Sequence, residues 1–463
     1  MKTNIYINIP EEVKYILNKL NDNGYDAYIV GGCVRDSLLN KIPSDWDITT
    51  NATPIQIKKI FDKTIDTGIK HGTVTVVLNN KNFEITVYRV DGVYSDGRHP
   101  DSVTYTNSLI EDLSRRDFTI NSMVYNEKDG LVDYFNGQRD LQEQFINTVG
   151  SANERFNDDA LRMMRAVRFA CQLNFSISLR TFLGIVRGKE SIRLISQERI
   201  RDELCKILIS DNPGRGINLL KSTGLLDIIL PEISKMINFD QKNPAHHKDI
   251  YEHTLLVLDN TPNDLILRLS ALLHDVGKPN TFSIDEKNIG HFYHHHVEGE
   301  IIAKQILRRL KFDNYTINTV CKLVREHMSR YDFLRVSSIK KFINRVGVDN
   351  LDRLFELQIA DIKGSKAPYD FSGIENLRKN VYEVLNTKQP LTIKDLQING
   401  YDLMEVGIEP GIEIGKILNW LLESVLENPE LNEKGELLRL VVEGREDINE
   451  TRWKGITIPM WYL

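Results

Sequence analysis

Cysteine is scarce in this chain. Four residues in 463, Cys33, Cys171, Cys205 and Cys321, lie far apart and form no CxxC pair. That spacing excludes a zinc ribbon and a disulfide framework and fits reduced thiols. No run of eighteen apolar residues occurs, which excludes a membrane-spanning helix of ordinary length. The opening MKTNIYINIPEEVK has no continuous apolar stretch of the kind a signal peptide needs, so a cytoplasmic location is expected. Low-complexity tracts and internal repeats are missing too, which argues against a solenoid. A positive balance is also lacking: the net charge is −6. Phosphate binding requires local rather than global positive potential, so segments matter more. Residues 301–345 carry eleven Lys/Arg against three Asp/Glu, and this stretch is the best sequence candidate for contact with RNA.

What is present is ordinary soluble-protein material, 41% hydrophobic and 27% charged, at a length that calls for three or four compact units. Asp26–Val30, Trp46–Thr49, Thr73–Leu78 and Asn82–Arg89 read as strands, being β-branched, aromatic or alternating. Cys33–Leu39 and Pro54–Phe61 between them read as helices. After Gly150 apolar residues recur at three- and four-residue spacing, as in Asp158–Leu173 and Ser196–Leu208, and few strand signals follow. The expected fold is α+β: a mixed-sheet unit over 1–150, then helical units over 151–240, 241–370 and 371–463.

Chemistry concentrates first in Val30–Thr50, VGGCVRDSLLNKIPSDWDITT. A strand, then Gly31-Gly32, then a helix start is a turn where bare backbone N–H groups approach phosphate, aided by the helix N-terminus. Asp45 and Asp47 alternate as on a strand, so both carboxylates point one way. Side by side they repel unless a cation lies between them, and Mg²⁺ accepts such a pair together with substrate phosphates.

The motif Gly31-Gly32…Arg35-Asp36…Asp45…Asp47 resembles the DNA polymerase β-like nucleotidyltransferases. Its longer form resembles class II tRNA nucleotidyltransferases and the related bacterial poly(A) polymerases. Arg115-Arg116-Asp117-Phe118-Thr119-Ile120-Asn121 is similar to that family's second motif, associated with ribose and phosphate. Asp158-Asp159-Ala160-Leu161-Arg162-Met163-Met164-Arg165-Ala166-Val167-Arg168-Phe169 is similar to its nucleotide-selecting helix, and Glu198-Arg199…Glu203 to a later neck motif. The likeness runs over about residues 25–235. It implies a polymerase β-like head over 1–150, a neck over 151–240, Asp45 and Asp47 as Mg²⁺ ligands, and nucleotide contacts from Gly31, Gly32, Arg35, Arg116, Asp117, Asn121, Asp159, Arg162, Arg165 and Arg168. Two residues depart from the pattern: Asp158 stands where Glu is usual, and Asn147 where Arg is usual. Glu84, on the strand Asn82–Arg89, is a candidate third carboxylate.

Asp159 and Arg162, three apart on one expected helix, would share a face. Cytosine and adenine each present an amino donor beside a ring-nitrogen acceptor, which a carboxylate and a guanidinium complement. Uracil and guanine put a carbonyl where the amino group would be, leaving buried groups unpaired at roughly 1–3 kcal/mol each. The Gly-, Asp- and Pro-bearing segment Asp91–Pro100 reads as a surface loop. In the family such a loop accompanies completion of the terminal A, and Ala160-Leu161 is also similar to CCA-adding members. The resemblance therefore implies C, C and A addition to tRNA from CTP and ATP. Poly(A) synthesis, CC-only addition, or a phosphohydrolase with a nucleotide-binding head are the alternatives. No membrane and no obligatory protein partner is indicated.

Nine of the eleven histidines fall between His246 and His327. Within that interval His253, His274-Asp275, His296 and His327, followed by Asp361, resemble the HD superfamily of metal-dependent phosphohydrolases, expected over 241–370. Imidazole and carboxylate ligands suit Mn, Ni, Co, Fe or Zn. Four of these ligands would hold one metal, with His296 and His327 supporting a second; His294 and His295 read as bystanders. The remainder, 371–463, resembles the helical tRNA-binding region of HD-bearing relatives.

Overall fold

The computed structural model describes residues 5–68, 72–92, 102–242, 248–329, 335–387 and 389–446. Most of the sequence-predicted loop, 93–100, lies outside the described residues. Helix α1 (Glu11–Asp22) buries Val13, Ile16, Leu17 and Leu20 on one face, each worth roughly 1.5–3 kcal/mol. It packs on a mixed sheet built from β1 (Ala27–Val30), β2 (Ile48–Thr50), β3 (Thr64–Gly68), β4 (Thr73–Leu78), β5 (Lys81–Val87), β8 (Val124–Asn126) and β9 (Gly130–Val132). Their order across the sheet is β3-β4-β5-β2-β1-β8-β9. Two shorter strands, β6 (Arg89–Asp91) and β7 (Val103–Tyr105), form a separate hairpin.

Register explains why the chemistry gathers at one end. β1 pairs antiparallel with β2, Ile29 opposite Ile48, so the end of β1 meets the start of β2. β5 runs parallel to β2 with Ile85 beside Ile48, which brings Glu84 alongside Asp47. On the other side Val30 faces Val124 of β8. Helix α2 (Gly32–Leu38) leaves directly from β1 through Gly31, whose φ of +82° is costly for a residue with a Cβ. Helix α3 (Pro54–Ile60) starts where Thr53 and Gln56 form a reciprocal cap and Pro54 takes the first turn.

Two short helices, α4 (Leu109–Ser114) and α5 (Gly137–Glu143), complete the head, and helices follow almost without interruption. One sequence expectation is corrected at this joint. The helix expected over Asp158–Leu173 starts later: Asp158 ends α6 (Ala152–Asp158), Asp159 is extended, and α7 (Leu161–Gln172) follows. The Asp159 carboxylate accepts the Leu161 N–H at 3.0 Å, a local bond that competes with continuing the helix. Asp45 and Asp47 likewise precede β2, although Val30 N–H still bonds to the Asp47 carbonyl at 2.9 Å.

Helix α8 (Leu179–Gly188) and α9 (Gln197–Leu208) follow. At the end of α9 the buried Arg268 guanidinium donates to the carbonyls of Leu208 and Ser210 at 2.6 and 2.7 Å. It thereby satisfies carbonyls that a helix end leaves unpaired and ties the neck to the next helical body. No helix among the described residues is long and apolar enough to cross a membrane. All four cysteines are free.

Candidate functional site

The sheet end opens into a cleft of about 760 Å³ between head and neck. Twelve of the head and neck residues singled out from the sequence line it, Gly31, Gly32, Arg35, Asp45, Asp47, Arg116, Asp117, Asn121, Asp159, Arg162, Arg165 and Arg168, whereas the candidate Glu84 is not in the lining. Phe169, Gln172, Arg199 and Lys206 line it as well and were not singled out. Arg199 and Phe169 lie inside motifs already quoted, so their signal was present without an assigned role.

Asp47 lines the cleft, where withdrawal from water raises its carboxyl; nearby Arg116 opposes this, and Glu84 and Asp45 add to it. Two neighbouring carboxylates are a donor set whose repulsion a divalent cation relieves. The Ser44 hydroxyl donates to Asp45. At the glycine turn, a Cβ on Gly31 would stand 3.5 Å from the Arg116 guanidinium, and one on Gly32 3.7 Å from that of Arg35. The bare turn therefore leaves room for an anion between backbone and arginines.

Asp117 is a hub. Its carboxylate accepts from Arg165 at 2.6 and 2.9 Å, from Asn121 at 3.2 Å and from the Phe118 N–H at 2.8 Å. Burial works to raise its carboxyl, but Arg165 and Arg162 prevail and hold it at about 2. Arg35 donates to Asn121 at 2.7 Å, and Arg168 donates to the buried Glu203 at 3.0 Å.

The expected Asp159–Arg162 pair is arranged differently. Asp159 is held by Arg199, at 2.7 and 3.3 Å, while Arg162 bonds to Asp158 at 3.3 Å and to the carbonyls of Arg155 and Arg115 at 3.2 and 3.0 Å. Asp158, the shorter residue at this position, thus still reaches the arginine. Asn147 bonds to Asp140 at 2.8 Å and lies outside the cleft lining.

A second polar cluster lies among five helices. His253 sits on Ile250–Asp259, His274 and Asp275 just beyond Leu265–Leu273, His295 at the start of His295–Arg309, His327 at the end of Asn314–Glu326, and Asp361 on Leu351–Gly364. Their ligand atoms form two groups, His253/His274/Asp361 and Asp275/His295/His327. Asp275 joins them: Oδ2 is 3.2 Å from His274 Nε2 and 3.7 Å from His253 Nε2, and Oδ1 is 3.5 Å from His295 and 3.9 Å from His327. The structure corrects one assignment here. His295, read from the sequence as a bystander, occupies the place given to His296, which belongs to neither group. A Cβ on Gly277 would collide with the His295 carbonyl and the Gly299 backbone, so that glycine permits the close approach of His295.

These residues fit a metal. Nδ1 of His274, His295 and His327 each bonds a backbone carbonyl three residues earlier, at 2.8, 2.8 and 2.7 Å. A carbonyl only accepts, so each Nδ1 carries the proton and each Nε2 keeps a lone pair facing Asp275. Nε2 of His295 and of His327 lie 3.3 Å apart, and buried His274 Nε2 has no hydrogen-bond partner among the described residues, while Asp275 Oδ2 has the Lys278 ammonium 2.7 Å away. Burial, with His274 close by, draws His327 down to about 3, while His274, Lys278 and His295 overcome burial to hold Asp275 well below the usual carboxylate range.

Within the basic span 301–345, Arg309, Arg325, Lys341 and Arg345 pair with Glu232, Glu300, Glu423/Glu427 and Glu326 respectively. Lys304, Arg308, Lys311, Lys322 and Arg335 carry no ion pair among the described residues, so the net positive surface is narrower than the sequence suggests. Arg330 lies outside the described residues.

Comparison with known proteins covers the regions that carry both clusters. Residues 27–147 match the poly A polymerase head domain, 174–237 a probable RNA and SrmB-binding site of polymerase A, and 248–361 the HD domain. The CCA-adding enzyme of Ligilactobacillus salivarius is 35% identical over 432 residues, 92% of this chain and 95% of that protein. That of Pediococcus pentosaceus is 32% identical over 94% of this chain and 98% of its own. The crystal structure of the Bacillus stearothermophilus CCA-adding enzyme in complex with CTP superposes with a TM-score of 0.67 at 29% identity, covering 94% of this chain and 98% of that one. With an α+β head, a glycine turn facing paired aspartates, and near full-length likeness to these relatives, the chain belongs to the CCA-adding enzyme family of nucleotidyltransferases.

Proposed function

We propose that this protein adds C, C and A to the 3′ end of tRNA without a nucleic-acid template, consuming CTP and ATP and releasing pyrophosphate. The observation that carries the reading is the meeting of Asp45 and Asp47 with the glycine turn and the Arg35, Arg116, Arg162, Arg165 and Arg168 guanidiniums in one cleft. Asp45 and Asp47, with Glu84 beside Asp47, would hold Mg²⁺; bound there, the ions supply positive charge for the attacking hydroxyl and the departing pyrophosphate. The turn at Gly31-Gly32 admits a triphosphate, and the arginines bind it. Asp159 accepts from the exocyclic amino group of C or A, and Arg162, steadied by Asp158, donates to a ring acceptor. Arg199 keeps the Asp159 carboxylate aimed.

Units at 1–150, 151–240, 241–370 and 371–463, in the cytoplasm, complete this reading: head, neck, HD domain and tRNA-binding tail. The experiment is extension of a tRNA transcript lacking CCA, with Mg²⁺ and CTP, ATP or both. Growth by three nucleotides with both, two with CTP alone and none for Asp47→Ala is expected. A stop at two would make the protein a CC-adding enzyme, and a long tail from ATP alone a poly(A) polymerase.

A second reading applies to the HD cluster, whose three Nε2 lone pairs converge on Asp275. His253, His274, Asp275 and Asp361 would hold one transition metal ion, and His295 and His327, sharing Asp275, a second. Ions held there would supply the activation of water needed to hydrolyse a phosphomonoester or a 2′,3′-cyclic phosphate. Hydrolysis of 2′,3′-cyclic AMP that persists in both His274→Ala and Asp275→Ala would dismiss this reading.

A further inference from the structure

Three guanidinium groups converge on one aromatic ring in the cleft. Phe169, on α7, is 6% exposed. The guanidinium carbons of Arg168, Arg35 and Arg165 lie 4.3, 5.1 and 5.4 Å from its ring centroid. Phe118 meets the same ring edge to face, at 5.8 Å and 82°. Arg35 comes from the head, one turn into α2, whereas Arg165 and Arg168 come from the neck, so one ring links cations from both units.

Each guanidinium also has a polar anchor: Asn121 and Asp36 for Arg35, Asp117 for Arg165 and Glu203 for Arg168. Three of these anchors are carboxylates, which offset part of the cations' mutual repulsion. Burial and the neighbouring Arg165 together draw Arg168 down to about 10. A π face attracts cations within about 6 Å and takes no N–H donor from them in doing so. The arginines therefore keep donors for a ligand, and a phosphate chain is the ligand whose charge answers three clustered guanidiniums.

We propose that Phe169 is a positioning residue for the nucleotide triphosphate, its π face holding Arg35, Arg165 and Arg168 as a preassembled cradle for the phosphates of CTP and ATP alike. The proposal rests on the cleft being the nucleotidyl-transfer site. The ring has no polar atom with which to read a base, so its contribution is the same for both nucleotides and extends to pyrophosphate. A leucine fills similar space but attracts no cation.

The test replaces Phe169 in the full-length protein by mono-, di- and trifluorophenylalanine, which withdraw π density stepwise at nearly constant size. KM and kcat for CTP and for ATP are measured on tRNA lacking the relevant terminal residues, together with inhibition by pyrophosphate and a thermal melt of each variant. KM for both nucleotides and the pyrophosphate inhibition constant should rise together along the series, to about tenfold at the last member. kcat, the preference for CTP over UTP and the melting temperature should stay level. A flat series overturns the proposal, because shape alone would then suffice. A changed base preference with unchanged pyrophosphate inhibition overturns it too, placing the ring on the base side. Extension that survives Asp47→Ala would instead remove the underlying reading of the cleft, whatever the series shows.

Discussion

Arg199 of the neck grips Asp159 through two hydrogen bonds, 2.7 and 3.3 Å long, across forty residues of chain. Asp159 is the extended residue between two helices, so its backbone alone does not fix where the carboxylate points. Removing the guanidinium leaves a partly buried acid free to rotate. Arg199→Ala should therefore lower the preference for CTP over UTP by about tenfold, in line with the roughly 1–3 kcal/mol at stake in an unpaired buried group. Competition between the two nucleotides at equal concentration measures this directly. An unchanged ratio would show that Asp159 is aimed by its bond to the Leu161 N–H instead.

At the HD cluster the contrast between two adjacent histidines is the sharpest test. Nε2 of His295 points at Asp275 from 3.5 Å, whereas His296 belongs to neither ligand group. His295→Ala should reduce the Mn or Ni retained after desalting by about half, since it removes one of the three groups at the second position. His296→Ala should retain as much metal as the parent protein. Elemental analysis of the purified variants decides it, and the opposite outcome would restore His296 as the ligand.

Much of this was legible in the sequence because the decisive residues are close together in it. Gly31, Gly32, Arg35, Asp45 and Asp47 span seventeen residues, and the two short strands that flank them announce themselves by β-branched and aromatic content. Periodicity failed where side chains compete with the backbone. Asp159 interrupts a helix whose apolar spacing continues on both sides, and the bond from Leu161 N–H to its carboxylate is invisible to any period. Spacing also could not separate His294, His295 and His296, because a run of three histidines at a helix start offers three directions, and only the packing around Gly277 selects one. The basic span misled for a related reason: its carboxylate partners Glu232, Glu423 and Glu427 lie far away in the chain.

Glu84 gives a prediction about the metal. Its strand runs parallel to β2 in a register that sets it beside Asp47, and its charge adds to the upward pressure on the Asp47 carboxyl. Glu84→Gln keeps the shape and removes that charge. Extension by this variant should need several-fold more Mg²⁺ for half-maximal rate, with kcat lowered about tenfold or more. Titration of rate against Mg²⁺ at saturating CTP is the measurement. A superimposable titration would assign Glu84 to the exposed edge of the strand and leave two carboxylates to bind the ions.

Asp117 predicts how the head–neck joint responds to acid. Its carboxyl is held at about 2 by Arg165 and Arg162 against the effect of burial, below the ordinary value of 3.8. A depressed folded-state pKa means that the unfolded chain binds the proton first as pH falls. The stabilisation is complete above about pH 4 and is lost as pH drops through the folded value near 2. The difference corresponds to roughly 2 kcal/mol. Asp117→Asn abolishes this titration and leaves the Arg165 guanidinium without its carboxylate. The variant should be less stable than the parent at pH 6 by about that amount, and the gap should narrow as the pH is lowered from 4 toward 2. Urea unfolding followed at several pH values tests it. A gap that stays constant down to pH 2 would mean that the bonds from Asn121 and the Phe118 N–H hold the joint, and that the charge of Asp117 contributes little.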